Sequence, residues 1–127
     1  MAIKRETSLQ ERIQTLIESK GGYVIKTHGD MTTEPGIPDL IFCYKGLFIA
    51  FEVKVDNNEP SRQQGIHCRN IHKASGIASI IWNTEQAKIV LTSIDRMMAT
   101  HNNIVPELIK SIVPTLQLDG IDDGKGW

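Results

Sequence analysis

Apolar positions along the chain change their period several times, and each change marks an element. Leu9, Ile13, Leu16 and Ile17 fall at i, i+4, i+7 and i+8, the stripe of an amphipathic helix that ends at Gly21-Gly22. Tyr23-Val24-Ile25 reads as a first strand, and the breaker-rich stretch from His28 to Ile37 as a loop leading to Pro38. Two further strands, over about 39–44 and 47–55, flank a two-residue turn at Lys45-Gly46. In the second of these, Leu47, Ile49, Phe51, Val53 and Val55 occupy one face, while Phe48, Ala50, Glu52 and Lys54 occupy the other. Ser61 is a fitting N-cap for a helix over 62–75 closed by Gly76. The apolar runs Ile77 to Trp82 and Ile89 to Thr92 read as two more strands joined by a turn near Asn83-Thr84-Glu85. Two short helices follow, about 94–100 and 106–113, and Asp119 to Trp127 reads as a frayed tail. The order αβββαββ plus C-terminal helices predicts an α/β mixed sheet flanked by helices. The expected organisation is a core domain over 1–95, a helical appendage over 96–118 and a flexible tail over 119–127.

The tight turn has a chemical consequence. If Tyr44 pairs with Leu47, the register runs outward through 42:49 and 40:51 to 39:52, which sets Asp39 opposite Glu52. Opposite Cβ atoms lie about 4.5–5.5 Å apart, and like charges so placed are destabilising. A cation between them resolves the conflict, and oxygen ligands suit Mg²⁺ or Mn²⁺. Lys54 shares the face of Glu52, so the two-sided face begins apolar and ends charged.

At 127 residues, 40% apolar and 23% charged, the chain has the composition of one globular domain. A net charge of −1 argues against coating of nucleic acid by bulk charge and shifts the weight to charge placement. Asp30, Glu34, Asp39, Glu52, Asp56 and Glu59 fall between residues 30 and 59 with only Lys45 and Lys54 among them. From Pro60 to Thr84 there is no acid, while Arg62, Arg69 and Lys73 are basic. Carboxylates followed by a basic segment suit a cation-dependent enzyme acting on a polyanion, and an ordinary solvated helix face is the competing reading of the basic segment. Cys43 and Cys68 lack a CxxC partner or a zinc-spaced His and read as reduced thiols. No apolar run approaches the ~20 residues of a membrane span, and the start of the chain is not a signal-peptide core. A cytoplasmic protein without membrane association is expected.

Pro38-Asp39 followed by Glu52-Val53-Lys54 resembles the PD-(D/E)xK nuclease superfamily. Together with Glu6-x-x-Leu9-Gln10, Gly21-Gly22, Lys26-x-His28-Gly29, Gly36-Ile37-Pro38-Asp39-Leu40, Pro60-Ser61-x-x-Gln64 and Ala74-Ser75-Gly76, these residues are similar to the small stand-alone VRR-NUC domains often carried by bacteriophages. The likeness covers roughly residues 6–82, and the layout is also similar to that of Holliday-junction resolvases. It implies a restriction-endonuclease-like sheet and a Mg²⁺- or Mn²⁺-dependent endonuclease acting on DNA. For a phage-type protein the host cytoplasm is the implied location. Asp39, Glu52 and the carbonyl of Val53 would be metal ligands, and Lys54 would position water or neutralise the transition state. Glu6 is a third-ligand candidate if the first helix extends beyond Ser8, because Ser8-x-x-Glu11 also reads as a capping box that leaves Glu6 outside. Gln10 is a weaker one.

Gln64, with Gln63 as its neighbour alternative, stands where an amide reaches a phosphate or the reacting water. His28, Arg62, Arg69 and Lys73 are candidate substrate contacts; phosphate contacts of this kind position DNA without reading sequence. Nothing resembles a base-reading helix, which points to flaps, branches or junctions as substrate. One small domain carries one site, so cutting two strands implies a homodimer, for which the apolar residues Ile104 to Val113 offer an interface or a cover for the sheet. The alternative class is a nuclease fold kept as a DNA- or protein-binding module with weak metal affinity. Sequence-specific restriction cleavage is a third, disfavoured by the lack of a recognition subdomain.

Overall fold

The computed structural model describes residues 2–27 and 35–100. Their order is α1 (Ala2–Ser19), β1 (Tyr23–Lys26), β2 (Leu40–Tyr44), β3 (Leu47–Val53), α2 (Arg62–Lys73), β4 (Ile77–Ile81) and α3 (Thr84–Thr100). The four strands form one mixed sheet in the order β1-β2-β3-β4, with β1/β2 and β2/β3 antiparallel and β3/β4 parallel. An antiparallel meander thus accounts for three strands, and the crossover through α2 supplies the parallel fourth.

The β2–β3 turn is as the sequence predicts. Tyr44 pairs with Leu47, and the register runs through Phe42↔Ile49 to Leu40↔Phe51. Lys45 and Gly46 have φ of 51° and 82°, the left-handed pair that a two-residue hairpin with matched twist requires. Lys45 reaches this conformation without the glycine advantage, and its Nζ lies 2.9 Å from Asp95 Oδ1 on α3.

One face of the sheet carries the core. Ile49, Phe51 and Val53 of β3, Leu40, Phe42 and Tyr44 of β2, and Ile81 of β4 are buried against Leu9, Ile13 and Ile17 of α1 and Ala87, Leu91 and Ile94 of α3. Phe42 and Phe51 meet edge to face at 4.9 Å, a favoured aromatic geometry. The other face is partly covered by α2. There Ala50 and Glu52 are buried, while Tyr23, Ile25 and Phe48 are exposed.

The strand expected over 89–92 is instead the middle of α3. Ile89-Val90-Leu91-Thr92 looks extended because most of it is β-branched. Ala87, Leu91 and Ile94, however, lie at i, i+4 and i+7 and are buried, while Ile89 is exposed, so helical periodicity governs and packing overrides propensity. The start was encoded: Asn83 Oδ1 accepts from Gln86 N at 2.9 Å, capping the helix where a turn was expected. The helix expected over 94–100 is the second half of the same α3. The one over 106–113 and the tail from Asp119 lie outside the described residues.

Candidate active site

Asp39 immediately precedes β2, and the loop that carries it is fixed from three sides. Thr27 N donates to Asp39 O at 3.1 Å, and Thr27 Oγ1 donates to Pro38 O. His67 Nε2 of α2 lies 3.2 Å from Pro35 O. Gly36, at φ 84°, sits against the start of α2, where an added Cβ would lie 2.5 Å from Gln63 Cβ and 2.7 Å from Gln64 N. The hairpin register then brings Asp39 across to β3, where its Oδ2 accepts from Val53 N at 2.9 Å.

Glu52 stands at the carboxyl end of β3 with 2% of its surface exposed. Its Oε1 accepts from Gln64 Nε2 at 2.7 Å and lies 3.8 Å from Lys54 Nζ. Its Oε2 is buried with no hydrogen-bond partner among the described residues. Burial first, and then the neighbouring charge of Asp39 and the hydrogen-bonding approach of its side chain, pushes the Glu52 carboxyl far above the usual carboxylate range, against the opposing pull of Lys54. Cys68, one turn after Gln64 on α2, has its thiol pushed up by burial and by the charge of Glu52, which places that helix face toward the same carboxylate.

Gln64 owes its position to the cap of α2. Ser61 Oγ accepts from Gln64 N at 3.2 Å, and Gln64 Oε1 accepts from Ser61 N at 2.7 Å, a reciprocal capping box. With its oxygen held by the cap, the amide nitrogen is aimed at Glu52. Of the two neighbouring glutamines it is Gln64, not Gln63, that bonds the buried carboxylate.

The first helix begins at Ala2, before Ser8, so Glu6 lies inside it. Its carboxyl is pushed up by burial and by Asp39 and pulled down by Lys54, which sets it within electrostatic reach of both. Among the described residues no three His, Cys, Asp or Glu side chains gather closely enough to hold a metal ion by themselves. Glu6 therefore adds charge at the edge of the Asp39–Glu52 pair without closing a three-carboxylate cage. Gln10, one turn further along α1, is buried and its Oε1 is also without a hydrogen-bond partner among the described residues.

The basic residues of α2 are placed differently. At 100° per residue, Arg62, Arg69 and Lys73 align within about 20° of one line along the helix, roughly opposite Gln64. All three are exposed and make no ion pair among the described residues. They form an outward stripe and do not converge on the carboxylates. His28 lies outside the described residues. Thr27, which helps anchor the Asp39 loop, was not singled out from sequence, and Gly36 was read only as part of the Gly36-Ile37-Pro38-Asp39-Leu40 stretch, although a glycine in a breaker-rich run also signals a close approach.

A donor set of carboxylate oxygens with one buried oxygen unsatisfied fits a hard divalent cation, which needs only one or two protein carboxylates and keeps several waters. A solved structure described as "VRR_NUC domain" superposes on this chain with a TM-score of 0.56 at 21% identity, covering 76% of this chain and 96% of that one. The chain has a VRR-NUC-like fold, with four strands and three helices among the described residues. No family model and no curated protein matches it. No helix among the described residues is long and apolar enough to cross a membrane.

Proposed function

We propose that this chain is a divalent-metal-dependent endonuclease that hydrolyses phosphodiester bonds of DNA and selects branched or flapped structure rather than base sequence. The observation that carries the reading is the buried Glu52 carboxyl set beside that of Asp39, with no hydrogen-bond donor of normal geometry on its Oε2 among the described residues. Buried carboxylates are costly, and a site that keeps two together with Lys54 as the only cation beside them among the described residues is suited to receive a cation from outside. Asp39, Glu52 and the backbone carbonyl of Val53 would hold Mg²⁺ or Mn²⁺. When bound, the metal supplies Lewis-acid polarisation of the phosphate and lowers the pKa of coordinated water.

The chain's own groups do the rest. Gln64 holds Oε1 of Glu52 and so fixes the carboxylate before substrate arrives. Lys54 places a positive charge 3.8 Å from Glu52 Oε1, where it counters charge that builds on the phosphoryl oxygens. Asp39 is tied to the same strand through Val53 N, which keeps the two carboxylates in register. The small net charge and the outward basic stripe suit contact with a few phosphates rather than a long duplex track.

The test is a panel of flapped, branched and linear duplexes with Mg²⁺ or Mn²⁺. Cleavage is expected, fastest on unpaired or branched DNA, and Asp39→Asn and Lys54→Ala should each lose about 10²–10³-fold while remaining folded, the scale seen for loss of one transition-state contact. Equal cleavage by wild type and both variants would overturn the assignment. A second reading, a nuclease fold retained as a binding module, is favoured by the lack of a three-carboxylate cage among the described residues. Calorimetric titration with Mn²⁺ separates the two, since a scaffold gives no heat that depends on Glu52.

A further inference from the structure

Past the ends of β3 and β4, between them and α1, lies a cavity of about 330 Å³ that none of Asp39, Glu52, Lys54 or Gln64 lines and that the proposed chemistry does not use. Leu9, Val55 and Trp82 contribute apolar wall, and Arg12 and Ser8 belong to the α1 side. It opens at the same end of the sheet as the site. Val55 directly follows Lys54, and Lys54 N donates to Ile81 O at 2.9 Å, so Trp82 begins next to Lys54 across the parallel pair. On α1, the cavity residue Arg5 adjoins Glu6.

The two arginines are not equivalent. Arg5 is committed to Asp56 through a two-point ion pair at 2.8 Å on each arm. Arg12 is exposed and makes no ion pair among the described residues. Trp82 lines the cavity and keeps 36% of its surface accessible. An indole with apolar neighbours offers a stacking surface, and a guanidinium at the same cavity offers a phosphate contact. That is the combination by which single-stranded nucleic acid is held without sequence preference. A base inside a duplex has both faces covered and cannot present one to Trp82.

We infer that the Trp82–Arg12 cavity is a subsite for one unpaired nucleotide next to the scissile phosphate, with the base on Trp82 and a phosphate on Arg12. Resting on the nuclease reading above, it gives that reading a physical basis for selecting flaps and branches: the substrate must supply an unstacked nucleotide at the end of the sheet where Lys54 and Trp82 lie on neighbouring strands.

The experiment uses full-length Trp127→Phe/Asp39→Asn protein in EDTA, which leaves Trp82 as the fluorophore and removes turnover. Oligo(dT) and an abasic oligonucleotide of equal length are titrated, and anisotropy of labelled oligo(dT) gives affinity for the variants. Saturable quenching by oligo(dT) but not by the abasic strand is expected. Trp82→Ala should bind roughly 10-fold more weakly and Trp82→Phe nearly as wild type. Arg12→Ala should flatten the log–log salt dependence by about 0.7, one phosphate of a single strand. Equal quenching by the abasic strand overturns the subsite, as does unchanged affinity in Trp82→Ala together with an unchanged slope in Arg12→Ala. If wild type cuts no DNA yet base-dependent quenching is seen, the nuclease reading fails and the Trp82–Arg12 cavity stands as a nucleotide-binding site alone. If wild type cuts and the abasic strand quenches equally, the subsite alone fails.

Discussion

Gln64 is held at both ends of its amide: the oxygen accepts from Ser61 N at 2.7 Å, and the nitrogen donates to Glu52 Oε1 at 2.7 Å. One side chain thus closes the cap of α2 and fixes the buried carboxylate of β3. The orientation of Glu52 is therefore set by the same local rule, Ser-x-x-Gln, that starts the helix.

Two substitutions at this position separate the roles. Gln64→Glu keeps an acceptor for Ser61 N but turns the donor toward Glu52 into a second anion beside it. Gln64→Ala loses both and should cost about 0.5–2 kcal/mol through the cap. Urea unfolding with Mn²⁺ calorimetry is expected to show Gln64→Glu folded and weakened in metal affinity by about 10–100-fold, the usual cost of losing a group that orients a ligand. Unchanged Mn²⁺ affinity in both variants would show that the contact with Glu52 has no bearing on the site.

Gly36 joins the Asp39 loop to the same helix. Its φ of 84° disfavours any side chain, and an added Cβ would meet Gln63 Cβ at 2.5 Å and Gln64 N at 2.7 Å, atoms that cannot swing away. Gly36→Ala should destabilise the protein by about 1–3 kcal/mol and lower cleavage beyond what the loss of folded protein explains, because both Asp39 and Gln64 shift. Activity per folded molecule equal to wild type would show that the loop moves without carrying Asp39 along.

The part of the fold governed by near neighbours was legible in the sequence. A two-residue turn dictates its own register, so Asp39, Glu52 and Lys54 could be placed together from Lys45-Gly46 alone. The capping box of α2 was visible as Ser61 and Gln64, but that its free nitrogen reaches Glu52 depends on how α2 lies across the sheet, which no local pattern encodes. The mistaken strand at 89–92 has the opposite cause: a β-branched run carried a strong local signal, and burial of Ala87, Leu91 and Ile94 against α1 and the sheet outweighed it. The basic residues of α2 were recognised as a cluster, and helical geometry then turned them outward. Long-range contacts decide such cases.

Asp95 gathers the far end of the molecule. It accepts from Tyr44 Oη at 2.5 Å and from Lys20 Nζ at 2.9 Å, and Lys45 Nζ lies at 2.9 Å. Hydrogen bonds from Tyr44, Lys20 and Lys45 hold its carboxyl well below the usual range, while burial and then Asp95 push the Tyr44 hydroxyl up to about 12. A depressed carboxyl contributes stability that is present above its ordinary value of about 3.9 and is lost as pH falls through the lowered one. Asp95→Asn should therefore cost about 1–2 kcal/mol at pH 7, after allowance for partial exposure. The gap to wild type should narrow between pH 5 and pH 2, as measured by urea unfolding. A constant gap across that range would show that the charge of Asp95 is not what the three donors stabilise.

Glu52 gives the sharpest prediction, because stability and function pull it in opposite directions. Its raised pKa means that the folded protein binds a proton more tightly than the unfolded chain. Its contribution is thus fully present below the ordinary carboxyl value of about 4.3 and is lost as pH rises through the raised one. Glu52→Gln retains an acceptor for Gln64 Nε2 and removes the charge, so in EDTA the variant should melt several degrees above wild type at alkaline pH, with the difference shrinking as pH falls. Added Mn²⁺ should reverse the order. Wild type gains RT ln(1 + [Mn²⁺]/Kd), about 2.7 kcal/mol at a hundred times Kd, whereas Glu52→Gln lacks the anionic ligand and gains little. Calorimetric melts at two pH values, each with EDTA and with Mn²⁺, check both halves without reference to cleavage. Equal stabilisation of wild type and Glu52→Gln by Mn²⁺ would mean that the buried free oxygen of Glu52 is not where the metal goes.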